Sequence, residues 1–279
     1  MKTLDTLFPR IFGTDVKSVG TSVQATTRKS RAVTTAMKSA WWAHPVEVGH
    51  GTHVGLRRSH NADAYGKDAE LGLWLVTDGV GGHEQGDVAS ALARDTVLRE
   101  VRAGTRLISA IEKANEDIIR YSTRNRTALA MSTTIVAMRL LRDSAFEVAW
   151  VGDSRAYLWH HASLKQLSKD HSYVQELIDT GVITHEQARC HHHQNIITQA
   201  LGAMDRSSLR VDAVIGELQP GDQILLCSDG LTRDVDDATI AATLSRHELS
   251  AQETVDQLLL AALEAGGSDN VTAVVVRRR

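Results

Sequence analysis

Two periods of apolar and polar residues organise most of this chain. Residues 71–77, LGLWLVT, and 223–227, QILLC, are nearly unbroken apolar runs of strand length, and each continues straight into Asp-Gly, at Asp78-Gly79 and Asp229-Gly230. Such runs predict strands buried on both faces. Further strands are expected over 46–57, 133–139, 146–151, 156–159, 210–214 and 270–276. A spacing of three and four marks the helices instead. Val88, Ala91, Leu92, Leu98 and Val101 share one face between Glu84 and Arg102, with Gly104 as the stop. Leu107, Ile111, Ala114, Ile118 and Tyr121 form a second such face. Shorter helices are predicted over 173–180, 186–190, 237–244 and 251–265. Strands and helices come in blocks rather than in strict alternation, which predicts an α+β fold of antiparallel sheets covered by paired helices.

The patterning begins at residue 46 and continues to Val276 without a linker or repeat, so residues 46–279 read as one domain. Residues 1–45 differ. They are rich in Ser and Thr, carry seven Lys or Arg against Asp5 and Asp15, and hold neither period. They read as a mobile basic tail with a short helix near Leu4 to Phe12; an organelle transit peptide shares this composition. Charge and composition narrow the function. A net charge of −3 and 4% aromatic residues argue against nucleic acid or a membrane as partner. Two cysteines cannot frame a disulfide scaffold, no apolar run approaches the roughly 20 residues of a spanning helix, and the N-terminus has no secretory apolar core. A cytoplasmic protein is expected.

The chemistry lies where apolar runs meet acids. Asp-Gly is by itself a common turn between strands. Here it recurs, and a third acid stands in Gly266-Gly267-Ser268-Asp269-Asn270 just before the last strand. Three carboxylates beside three strands are the donors that hard divalent cations prefer. At Val151-Gly152-Asp153-Ser154-Arg155 another strand ends in an acid, either in a hairpin turn or as a fourth carboxylate at the same edge. Upstream, Gly55 to Asp63 carries Arg57 and Arg58, which are expected on opposite faces of a strand, so that only one could grip a phosphate.

The segments GLRRSHNAD, VTDGVGGHEQGDVAS, VGDSRAYLW, LLCSDGL and GGSDNVTAVVV, in this order, resemble the bacterial metal-dependent serine/threonine protein phosphatases of the PPM, or type 2C, family over about residues 46–279. The resemblance implies a four-layer α-β-β-α sandwich: two antiparallel sheets flanked by helix pairs, with the metals in a cleft at one edge. It implies that Asp78 bridges two ions, Mn²⁺ or Mg²⁺, with the Gly79 carbonyl on one, Asp229 and Asp269 on the other, and Asp153 sharing a third, weaker site with Asp229. Arg58 would bind the phosphate, and Asn61 and Asp63 would support the ligands. Together they imply hydrolysis of phosphoserine and phosphothreonine proteins by a water activated between the ions, opposing a cognate kinase. His83 is a candidate general acid.

Two departures bear on this reading. Ala62 stands where the family motif carries a glutamate, which would weaken metal affinity. Cys190-His191-His192-His193 invites a zinc site, although adjacent histidines point apart and a polar loop within the flap segment 168–200 is favoured. Two other functions compete. Cys227 and Arg233 match the Cys-x5-Arg loop of cysteine-dependent phosphatases, but Asp229 would lie inside the anion cradle and repel phosphate. A metal-free binding module is the second, and its uncompensated acids would repel one another.

Overall fold

The computed structural model describes residues 46–80, 85–125, 131–142 and 144–279. One sheet has the order β1 (Val46–His53), β11 (Val271–Arg278), β10 (Gln223–Cys227), β7 (Arg155–His160) and β8 (Ser163–Gln166). The other runs β2 (Asp63–Asp68), β3 (Leu73–Val80), β5 (Ile135–Leu140), β6 (Ala145–Val151) and β9 (Asp212–Glu217), and the two-residue β4 (Ser132–Thr133) extends the end of β3. Every pairing among the described strands is antiparallel.

Alternation within the apolar runs builds two cores. Trp74 and Val76 of β3 join Val136, Met138, Phe146 and Val148 against Ile224, Leu226, Val274 and Val276 of the facing sheet. Their neighbours Leu73 and Leu75 turn the other way, onto α1 (Gln85–Arg102) and α2 (Leu107–Asn125). A run that fills both cores must be apolar throughout. Each such side chain contributes roughly 1.5–3 kcal/mol of burial. The helix α7 (Ala251–Glu264) covers β1 and β11, with α6 (Asp237–Leu244) beside it, which completes the four layers. Ser250 and Glu253 close a capping box that starts α7.

Several elements differ from the sequence expectation. β1 stops at His53, because Gly55 turns at φ 79° past the Asp269 carbonyl, where a Cβ would sit 2.1 Å away. β2 and β8 carry too few apolar residues to be legible, and exist because a partner strand pairs with them. β9 lies two to three residues later than predicted. The buried stripe of α1 is Ala89, Ser90, Ala93, Thr96, Val97 and Val101, small residues that let the helix lie close to β3, while Val88, Leu92 and Leu98 flank it. Tyr121 is exposed near the end of α2, beyond the packed Ile118. Of the two alternatives at 152–154, the hairpin does not form: β6 belongs to one sheet and β7 to the other, so this connection crosses between the sheets. The expected short helix near Leu4 to Phe12, and the tail around it, lie outside the described residues.

Candidate active site and metal centre

The sheet edge crossed by residues 152–154 is where the acids converge. A cleft of about 520 Å³ is lined by Asp78, Gly79, Asp153, Asp229 and Asp269, with Arg58 at its wall. All six residues singled out from sequence therefore share one site. They arrive by five routes: Arg58 just after the turn 55–57 that follows β1, Asp78 and Gly79 within β3, Asp153 on the crossing between sheets, Asp229 at the start of α5 (Asp229–Thr232) after β10, and Asp269 just before β11.

Asp78-Gly79 is not a turn. β3 runs on through Val80, pairing Asp78 with Asp63 and Gly79 with Thr133. Glycine is required for another reason: a Cβ at residue 79 would lie 2.2 Å from the Gly86 carbonyl oxygen and 2.8 Å from that of Ala62. The start of α1 thus closes directly over the bare backbone. Gly230 is held likewise, its absent Cβ standing 1.9 Å from the Asn270 carbonyl oxygen.

Behind the cleft, hydroxyl groups fix the buried Asp63. Asn61 donates to Thr52 Oγ1 at 2.8 Å, and the hydroxyls of Thr52 and Thr272 bond at 2.7 Å. Thr272 and Ser228 then donate to Asp63 Oδ2 at 2.7 and 2.8 Å. Asp63 Oδ1 is buried without a hydrogen-bond partner. An orphaned carboxylate oxygen beside further acids is the environment that a cation or its bound water satisfies. Burial, then the neighbouring Asp229 and Asp269 charges, push Asp63 up to about 7, against the pull of the two hydroxyls. Burial followed by repulsion from Asp63, Asp229 and Asp153 raises Asp78 well above the usual carboxylate range. Burial and Asp229 push Asp153 up to about 8. These acids await positive charge.

Arginines supply part of it. Arg58 donates to Asp269 Oδ2 at 2.7 Å, and Arg233 reaches the same oxygen at 2.8 Å while also pairing with Asp229. Contrary to the strand-based expectation, Arg57 lines the cleft beside Arg58, because residues 55–57 form a turn and strand alternation no longer applies. Asp153 is positioned from behind. Gly152, at φ 106°, exchanges two bonds with His171: its carbonyl accepts from the His171 N–H at 2.9 Å, and its N–H donates to Nδ1 at 3.2 Å. His171 Nε2 then lies 3.1 Å from Asp212, and burial lowers the imidazole from its usual pKa against the pull of Asp212, which suits Nδ1 as the acceptor from Gly152.

Sequence reasoning passed over several of these supports. Asn270 accepts from the Ala62 N–H at 2.8 Å and donates to the Val54 and His60 carbonyls at 2.8 and 3.0 Å, tying the Arg58 turn to Asp269. Ala62 keeps this backbone role and, in addition, accepts from Ser90 at 2.6 Å, while its side chain places only a methyl group at the cleft. The signal for Asn270 was its place beside Asp269; Ser228, Thr272 and His171 carried none.

The remaining expectations separate cleanly. Cys227 is wholly buried within β10, and burial pushes its thiol up to about 12, the reverse of a nucleophile. Contrary to the expectation that adjacent histidines point apart, the rings of His191 and His192 stack at 4.5 Å, and those of His192 and His193 lie tilted against each other at 3.9 Å. His83 lies outside the described residues.

Residues 51–265 match the protein phosphatase 2C family, and the chain belongs to it. The serine/threonine phosphatase stp of Listeria monocytogenes serotype 4b (strain F2365) is 37% identical over 242 residues, which cover 81% of this chain and 94% of that protein. The solved structure of serine/threonine phosphatase Stp1 from Staphylococcus aureus superposes with a TM-score of 0.76 at 32% identity, over 85% of this chain and 96% of the other. The catalytic domain of the phosphatase PstP, solved with two manganese ions, gives a TM-score of 0.74 at 31% identity, over 84% and 98%. The chain is a protein-serine/threonine phosphatase that depends on divalent metal. No helix among the described residues is long and apolar enough to cross a membrane.

Proposed function

We propose that Asp78, the Gly79 carbonyl, Asp229 and Asp269 hold two divalent cations, Mn²⁺ or Mg²⁺, and that Asp153 with Asp229 takes a third, weaker one. The observation that carries this reading is the convergence of four carboxylates from four chain segments in one cleft. Their oxygen donors suit hard cations, and the orphaned Asp63 Oδ1 behind them fits the same occupant. When bound, the ions supply a Lewis acid that makes water nucleophilic near neutral pH and offsets charge on the phosphoryl group.

The chain's own groups do the rest. Arg58 turns its guanidinium from Asp269 towards the phosphate and fixes two of its oxygens, which aligns phosphorus for in-line attack. Asp63, held by Ser228 and Thr272, steadies the Asp78 side of the cleft. The substrates are phosphorylated proteins, set against a cognate serine/threonine kinase in the cytoplasm. The test is phosphate release from a phosphothreonine peptide with and without Mn²⁺, alongside Asp229→Asn. Metal-dependent release absent from the variant supports the reading; release that persists in Asp229→Asn overturns the assignment of the site.

A further inference from the structure

Arg233 stands where no ligand set or phosphate clamp accounts for it. It is the C-cap of α5, and its backbone N–H donates to the Asp229 carbonyl at 2.8 Å, so one helical turn locks its Cα above the residue that it pairs with. Its guanidinium spans two acids at once, Asp229 through one nitrogen and Asp269 Oδ2 through another at 2.8 Å. Arg58 already takes Asp269 Oδ2 at 2.7 Å. An oxygen that accepts from two guanidiniums has both lone pairs engaged and none left for a cation.

We propose that Arg233 is a resident counter-cation, which occupies the Asp229–Asp269 edge in the metal-free protein and must be displaced for the ion there to bind. This rests on the assignment of those two aspartates as metal carboxylates. The fold provides a place for the displaced side chain. Arg233 lines both the catalytic cleft and an adjoining cavity of about 720 Å³ beneath α3 (Tyr173–Asp179) and α4 (His185–Arg189). Asp234 and Asp236 stand on the wall of that cavity, and the Arg233 side chain is 30% exposed, so it can turn without unpacking a core. The arginine has two consequences. It shields acids that would otherwise repel one another in the metal-free fold, and it lowers the affinity for one ion, so that activity follows the supply of free metal.

Isothermal titration of Mn²⁺ into wild type, Arg233→Gln, Arg57→Gln and Asp229→Asn tests this, together with thermal melting of each metal-free protein. Arg233→Gln should bind one Mn²⁺ about tenfold more tightly, since two partly exposed ion pairs no longer compete. Its metal-free form should melt at a lower temperature, and the rise on adding Mn²⁺ should be larger than in wild type. Arg57→Gln removes an equal charge from the same cleft wall without touching the pair, and should leave Mn²⁺ affinity as it is. Arg233→Lys, whose single ammonium cannot span both acids, should bind Mn²⁺ with intermediate affinity and serves where the glutamine variant does not fold. Unchanged or weaker binding in the position 233 variants overturns the proposal, as does equal tightening by Arg57→Gln, which would mark a diffuse charge effect. Absent Mn²⁺ binding in wild type, or full binding in Asp229→Asn, removes the metal-site assignment itself.

Discussion

Asp63 and Asp78 are direct cross-strand partners in the antiparallel β2–β3 pair, so two carboxyl groups project from the same face of one sheet. Residues so placed stand about 5 Å apart, and like charges there are destabilising. Protons or cations shared by the pair would relieve this repulsion.

Stability should therefore depend on pH in a way that metal abolishes. A carboxyl group whose pKa is raised in the folded state retains a proton that the unfolded chain has released. Its contribution is full below the unfolded value near 4 and is lost as pH rises through the folded value, about 7 for Asp63 and about 8 for Asp153. Metal-free protein should melt at progressively lower temperature between pH 5 and pH 8. Mn²⁺ should raise the midpoint more at pH 8 than at pH 5, because ligands must lose protons to bind. Calorimetry in chelator and in Mn²⁺ checks this; equal metal shifts at both pH values would contradict it.

Asp78→Asn and Asp229→Asn should each lower turnover more than about 100-fold while the protein stays folded, a loss beyond that typical of residues which only support metal ligands. Asp78→Asn should also melt at a higher temperature than wild type in chelator, since it removes a repelling acid that no arginine among the described residues pairs with directly. A fall in both activity and metal-free stability would point to a structural role instead.

Removal of the Arg58 guanidinium should act on phosphate binding. Arg58→Ala is expected to raise KM more than it lowers kcat, with kcat/KM down roughly 10- to 100-fold, the loss of a charge-assisted bidentate contact. Arg58→Lys should recover only part of it. Steady-state kinetics on a phosphothreonine peptide separate the two parameters, and an effect confined to kcat would rule out this role.

Gly79→Ala should be severe for its size. The new methyl group meets two carbonyl oxygens at 2.2 and 2.8 Å, neither of which can move without shifting α1 or the Ala62 turn. A cost of about 3 kcal/mol, or roughly 10 °C in Tm, is expected. Thermal melting decides it, and a wild-type midpoint would mean that the helix start yields easily.

Cys227→Ser should keep its kinetic constants and lose about 1–3 kcal/mol of stability, the cost of a hydroxyl in an apolar strand interior. Inactive protein that still binds Mn²⁺ would instead revive a thiol mechanism.

Legibility in the sequence followed the range of the physics. The apolar runs of β3 and β10 and the faces of α2 were visible because burial on both sides of a sheet, or on one side of a helix, imposes a local period. The strand at Asp63–Asp68 was not, since it is made by hydrogen bonds to β3 and not by its own side chains. The four cleft aspartates and Gly79 stood out as acids and glycines at strand ends within ordered motifs, but the approach of Gly86 that requires a glycine at position 79 was not legible, because it is a contact between elements.

By itself, then, the sequence determined the chemical identity of the site and the class of fold, because donor type, charge and apolar period are properties of residues in order. Only the tertiary structure decided that β6 and β7 part company at Gly152 and carry Asp153 across to the other sheet. The same holds for Arg57 facing the cleft with Arg58, for His171 holding the crossing, and for Arg233 bridging Asp229 and Asp269. Each depends on distances between segments up to about two hundred residues apart, set by packing around two cores that no local pattern encodes.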